Sequence, residues 1–300
     1  MSVIKNKVQL IDLIVSSLTD NPILSKSCLV VTGSKETQYK IRDGVVTPFP
    51  SLNITHEEAD IIIINQLLWV VKEKPQAWVL VICDDTDVFV LLTHYYTTEK
   101  MECQLFMQGP TRGRKLISIQ GTALNTRTNL NTDPELLLPL HALTGCDSVS
   151  AYLGIGKSKA LTVLRNNSSL NLHMLGDLSC NFDDIYMMAV SFISLCYGCK
   201  PEPNGKSIIP ARIKLWHRKV ATATRANPSL QRLPPTDSSL RANVRRAHYQ
   251  AAIWRSCSSP DPPQQSPEDF GWHIKSGVML PKLFDGTRPC NSTSLTAIIN

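Results

Sequence analysis

Residues 59–96 constrain the fold more than any other stretch. ADIIIINQLLWVV (59–71) has helix length and a capping-box start, with Thr55 followed by Glu58 three residues on. AWVLVIC (77–83) is apolar throughout and reads as a central strand buried on both faces. DVFVLLTHYY (87–96) reads as a second helix. Helix and strand in alternation imply a mostly parallel sheet covered by helices on both sides. In such sheets functional groups gather at the carboxyl ends of the strands. Asp84, Asp85 and Asp87 stand there, directly after the central strand.

The alternation extends to either side. VQLIDLIVSSL reads as a helix that stops before Asn21-Pro22, CLVVT (28–32) as a short buried strand, and QLFMQ and LISI as two further strands. From about residue 134 the chain becomes helical, in PELLLPLHALTG, KSKALTVLRN and FDDIYMMAVSFISLCYG. Past Gly198 prolines are frequent, and LPPTDSSLRANVRRAHYQAAIW reads as an extended lead into a basic amphipathic helix. SSPDPPQQSPEDFGW and the residues after it lack periodicity and read as a loop-like extension. The expected division is an α/β core over 1–133, a helical region over 134–199 and a basic, proline-rich extension over 200–300.

Charge is segregated along the chain. Residues 1–199 hold 16 Lys and Arg against 19 Asp and Glu, whereas residues 200–255 hold 12 against 2. A basic stretch of that kind suits phosphate contact. A hydrophobic content of 43% with interspersed charge reads as a soluble protein, and the apolar run 59–71, broken by Asp60, Asn65 and Gln66, is too short to span a bilayer. MSVIKNKVQLIDL has no apolar core ahead of a small-residue cleavage site, so an intracellular setting is expected. The nine cysteines then read as reduced thiols, and Cys196 with Cys199 lacks the second pair that a zinc site needs.

Three acidic groups carry the chemistry. HEEAD contains Glu57, Glu58 and Asp60 at a helix start, CDDTD contains Asp84, Asp85 and Asp87, and Asp147 stands alone in LTGCDS. Acids one residue apart at an element junction can converge on one point. Clustered carboxylates repel unless a cation neutralises them, and oxygen-only ligands favour Mg²⁺ or Mn²⁺. Two such ions suit phosphodiester hydrolysis. The simpler reading is that HEEAD favours a helix dipole and CDDTD caps the following helix. GIGKSKA (154–160) resembles a helix-hairpin-helix turn, in which Gly154, Ile155 and Gly156 make the bend and Lys157 and Lys159 face a phosphate. It is not a P-loop, because position 151 is alanine and no strand leads into it.

His56 and Cys146 read as a capping or surface residue and a small buried one, and His141 as a satisfied core histidine. No grouping of Ser, His and Asp supports covalent catalysis. Trp216, Tyr249 and Trp254, interleaved with the basic stretch, suit either base stacking or helix packing.

HEEAD, VLVICDDTD and ALTGCDSVSAYLGIGKSKA, in that order, resemble the flap-endonuclease/XPG-type nucleases of the PIN-like superfamily. The resemblance covers roughly residues 50–170. It implies a PIN-like three-layer α/β/α domain followed by a helix-hairpin-helix and a helical, basic extension. It further implies a metal-dependent, structure-specific DNA endonuclease with a two-metal Mg²⁺ or Mn²⁺ site. By position the catalytic metal ligands would be Glu58, Asp60, Asp85, Asp87 and Asp147. The DNA-binding turn would be Gly154, Ile155, Gly156, Lys157 and Lys159, and the partner a duplex or branched DNA in the nucleus. A set of animal proteins, some linked to mobile elements, is similar over HEEAD, DTDV, LHALTGCD and the LPPT segment. The nucleases have two further aspartates after N-terminal strands. Here CLVVT is followed by Gly33-Ser34, and Asp12, Asp20 and Asp43 have no matching context. The chain therefore reads as a fragment or a degenerate copy, whose rival role is catalytically incomplete nucleic-acid binding or protein interaction.

Overall fold

The computed structural model describes residues 3–19, 27–32, 38–52, 58–111, 113, 115–203, 205–222, 229–259 and 265–283. Thr55, His56 and Glu57 lie outside them, as does part of the proline-rich end. The chain is mixed α/β with small sheets, and no helix among the described residues is long and apolar enough to cross a membrane. It divides into two compact units, residues 1–125 with 253–264 and residues 126–252 with 265–300. The expected regions 134–199 and 200–252 thus share one unit.

The first unit holds helix α1 (Val3–Thr19) and an antiparallel meander of β1 (Leu29–Thr32), β2 (Gln38–Arg42) and β3 (Val45–Pro48). Helix α2 (Ala59–Glu73) follows, then β4 (Trp78–Ile82), α3 (Thr86–Thr98), β5 (Gln104–Gln108), β6 (Ile117–Ser118) and the start of α4 (Ile119–Thr128). Ile61, Ile64 and Leu67, spaced by three along α2, are buried, as are Val88, Leu91, Leu92 and Tyr95 of α3 and Leu105 and Met107 of β5. This is the amphipathic stripe that the sequence carries. Gln66, which interrupts the apolar run, donates from Nε2 to Thr32 Oγ1 at 3.3 Å and to Gln38 Oε1 at 3.4 Å. Its amide ties α2 to the meander.

The sheet departs from the expected one. Among the described residues only β4 and β5 pair in parallel, while β5–β6 and both pairs of the meander are antiparallel. Among the described residues β4 has one neighbour, so it is an edge strand and not a central one. Trp78, Leu80 and Ile82 point to an open face, 74%, 49% and 66% exposed. Trp78 leans on the Phe106 ring at 5.5 Å. An unbroken apolar run signals a fully covered strand only where both faces find partners. Likewise β1 is half-buried along its whole length and belongs to the meander.

Residues 253–264 complete the first unit. The Tyr95 hydroxyl donates to the Trp254 carbonyl at 2.9 Å and accepts from the Cys257 N–H at 3.0 Å. Trp254 is only 1% exposed, so packing and not base stacking explains it.

The second unit is helical: α5 (Leu137–Thr144), α6 (Lys157–Arg165), α7 (Phe182–Cys196), α8 (Ile209–Thr222) and α9 (Asp237–Arg255) up to residue 252, with a hairpin of β7 (Trp272–Lys275) and β8 (Val278–Pro281). That hairpin lies in the stretch read as loop-like. Leu138, Leu143, Leu164, Phe192, Leu240 and Val244 lie in its core, each at 4% exposure or less. Full burial of a side chain such as Phe192 contributes about 1.5–3 kcal/mol. His141, 6% exposed, sits in the interior as expected.

Candidate functional site

In the first unit the acids stand at two helix starts. Asp85 occupies the N-cap of α3 in extended backbone, and its Oδ1 accepts from the Asp87 N–H at 2.8 Å. The Asp85 N–H in turn donates to Cys83 Sγ at 3.4 Å. The simpler reading of CDDTD as a helix cap is therefore realised by Asp85, while Asp84 is exposed and Asp87 sits half-buried in the first turn. Glu58 holds the N-cap position of α2 but makes no capping hydrogen bond, and Asp60 lies in the first turn.

These two starts converge. Although Glu58 is exposed as a residue, the protein around its carboxyl removes enough water to raise its pKa, and the charges of Asp60 and then Asp87 raise it further. Burial likewise pushes the Cys257 thiol up to about 12, with Glu58 and Asp60 adding to the shift. Negative charge is thus crowded at one place by residues 27 apart in the chain. The donor chemistry, oxygen-only and mutually repelling, fits a hard divalent ion. Among the described residues, however, no group of three or more His, Cys, Asp or Glu is gathered closely enough to hold one.

Asp147 belongs to the second unit. Helix α5 ends at Gly145, whose φ of 109° and ψ of 135° only glycine adopts readily. A Cβ there would lie 2.6 Å from the Ala151 Cα. The chain then turns over residues 146–149, closed by Cys146 N–H to Val149 O at 3.0 Å and Val149 N–H to Cys146 O at 3.2 Å. Asp147 is exposed at the tip of this turn, and Cys146 is half-buried rather than buried. Helix α9 holds the loop from behind. Asn243 donates from Nδ2 to the Ser150 carbonyl at 3.1 Å and to the Tyr152 hydroxyl at 3.0 Å, and Ser148 Oγ donates to Gln250 Oε1 at 2.6 Å. The LTGCDS and RANVRRAHYQ segments, distant in sequence, are one piece of structure.

The lysines of the turn divide. Lys157 Nζ donates to the His141 carbonyl at 2.8 Å, to Thr144 Oγ1 at 2.9 Å and to the Gly145 carbonyl. All three ammonium protons go to the C-terminus of α5, where carbonyls lack helical partners and the dipole is negative. The expected phosphate contact of Lys157 therefore competes with a clamp inside the protein. Lys159, two residues on and about 200° round the helix, faces elsewhere. It is exposed and lines a groove of about 420 Å³ with Leu153, Gly154, Ile155, Tyr197, Leu215, Lys219 and Arg232.

The basic stretch behaves in the same way. Arg246 is 4% exposed, and its Nη1 donates to the carbonyls of Gly271, at 3.2 Å, and Lys282. Arg241 pairs with Asp183 and lies over the Phe182 and Tyr186 rings at 5.3 and 4.9 Å. Arg245 lies 4.4 Å over Phe182. Tyr249 stacks on Phe270 at 4.9 Å, and Trp216 is half-buried. Part of the charge that pointed to phosphate is thus held by internal carbonyls, one carboxylate and ring faces. The groove residues Tyr197, Leu215, Lys219 and Arg232 are not distinguishable in the sequence, where their only signal is the regional basic excess. Comparison of the chain with protein-family models, with curated proteins and with solved structures gave no match.

Proposed function

We propose that the chain is a metal-dependent, structure-specific endonuclease-like protein of the flap-endonuclease type that hydrolyses DNA phosphodiesters, built on a PIN-like three-layer fold. One observation carries this reading: the Glu58 carboxyl, its pKa raised first by burial and then by the charges of Asp60 and Asp87, meets acids from two different helix starts. Carboxylates crowded at helix N-termini beside a strand end repel one another, and a divalent ion would relieve that repulsion. Mg²⁺ or Mn²⁺ bound there would supply charge compensation for the scissile phosphate. Glu58, Asp60, Asp85 and Asp87 are the residues of the first unit that would hold it. DNA, duplex or branched, is the partner and a nuclear setting follows.

The second reading is a catalytically incomplete protein that binds nucleic acid or another protein with the same fold. It is favoured by the spacing of the acids, since no three of them are gathered at ligand distance among the described residues. The deciding experiment is Mn²⁺-dependent cleavage of a labelled flap and a plain duplex, beside Asp85→Asn. Cleavage that disappears in the variant supports the nuclease. Salt-sensitive binding without cleavage supports the second reading.

A further inference from the structure

We infer that the groove of the second unit seats a single-stranded stretch of nucleic acid, with one base on its apolar wall and flanking phosphates on Lys159, Lys219 and Arg232. The inference deepens the proposed nucleic-acid function and rests on that reading for its choice of polyanion. The groove's volume of about 420 Å³ falls within the roughly 300–1,000 Å³ of small-ligand sites. Its wall is Leu153, Ile155, Tyr197 and Leu215, while three cations and no carboxylate stand among its described lining residues. A positive rim around an apolar and aromatic wall matches a ligand that is anionic along its backbone and flat and apolar between its charges. Nucleic acid has that pattern; an acidic peptide has the charge without the flat faces.

The strandedness follows from geometry. In a duplex both faces of each base are stacked on neighbours, so a wall of this kind can accept only a base out of the stack. The site is also held in place. The Tyr197 hydroxyl donates to the Leu153 carbonyl at 3.4 Å, joining the end of α7 to the glycine turn. Gly154, at φ 79° and with nothing within 4 Å of the place a Cβ would take, leaves the backbone open to a close approach. Lys157 is turned away into its clamp, which leaves Lys159 as the lysine of this turn that lines the groove.

The test is fluorescence anisotropy with the full chain and a labelled 12-nucleotide oligothymidylate, without divalent metal, over a series of salt concentrations. A duplex of equal length and polyglutamate serve as competitors. Lys219→Ala/Arg232→Ala should weaken binding at least tenfold and flatten the log–log salt slope by about 1.4, at about 0.7 for each phosphate left without its cation. Tyr197→Ala should weaken it roughly five- to hundredfold with the slope unchanged. Circular dichroism and melting confirm that each variant is folded. Unchanged affinity and slope in the double variant would overturn the assignment, as would polyglutamate competing as well as unlabelled oligothymidylate. The outcome is separable from the nuclease reading. Absent cleavage with the expected groove effects removes the nuclease and keeps the groove; Mn²⁺-dependent cleavage with unaffected groove variants does the reverse.

Discussion

Lys157→Met tests whether the turn lysine is a clamp or a phosphate ligand, because methionine keeps most of the apolar stem and removes the ammonium. Three acceptors then lose the ammonium: the carbonyls of His141 and Gly145 and the Thr144 hydroxyl, all on buried residues, with the His141 carbonyl keeping the Thr144 Oγ1 donor at 3.4 Å. A hydrogen bond to a charged group is worth about 1.5–3 kcal/mol net, and an orphaned buried acceptor costs a similar amount. The three bonds share one ammonium whose desolvation counts once, and Lys157 is exposed as a residue, so the sum is discounted to about 2–4 kcal/mol. Thr144 Oγ1 keeps its own donation to the Leu140 carbonyl at 2.7 Å, so the damage is confined to the end of α5. Urea unfolding should show a lower midpoint at unchanged m-value. The salt slope of duplex binding should stay at the wild-type value, whereas removing a cation that neutralises a phosphate would flatten it by about 0.9. A stable variant with a flattened slope would refute the clamp.

Three further outcomes are expected. Asp85→Asn keeps an N-cap acceptor and should leave the melting temperature near wild type, while Asp85→Ala should lose about 1 kcal/mol; equal losses would show that Asp85 is held by something other than its bond to Asp87 N–H. Glu58 has a raised pKa in the folded state, so the folded protein keeps that proton to higher pH than the unfolded chain does. Its contribution is therefore most favourable below the ordinary value of 4.5 and declines as pH rises above it. Glu58→Gln should accordingly raise the melting temperature at pH 7 relative to wild type and lose that gain by pH 4; an equal gain at both would exclude charge crowding. Gly145→Ala should cost about 3 kcal/mol or more, combining a positive φ with a Cβ pressed on the Ala151 backbone, and a melting temperature within a degree of wild type would contradict that geometry.

Periodicity made α2 legible and a cap made α3 legible, because the stripe Ile61, Ile64, Leu67 and the cap Asp85 lie inside the elements they define, whereas the capping box read at Thr55 and Glu58 gives way to Glu58 as an N-cap without a side-chain bond. What the sequence did not disclose are properties of partners. An apolar run such as WVLVI states that a strand is cheap to bury, not how many neighbours it finds, and β4 finds one among the described residues. The acids were legible as groups, yet only the folded chain shows that Asp60 and Asp87 bear on the same carboxyl. Charge misled most, and for one physical reason. Composition counts cations without saying what receives them, and a guanidinium or ammonium is as well satisfied by helix-end carbonyls and ring faces as by phosphate. Arg241 and Arg246 are received inside the protein, so the excess of positive charge in residues 200–255 overstates what a polyanion would meet. The cations that matter for such a partner are those which the fold lays along an apolar wall, and Lys159, Lys219 and Arg232 meet that condition although nothing in their sequence neighbourhoods sets them apart.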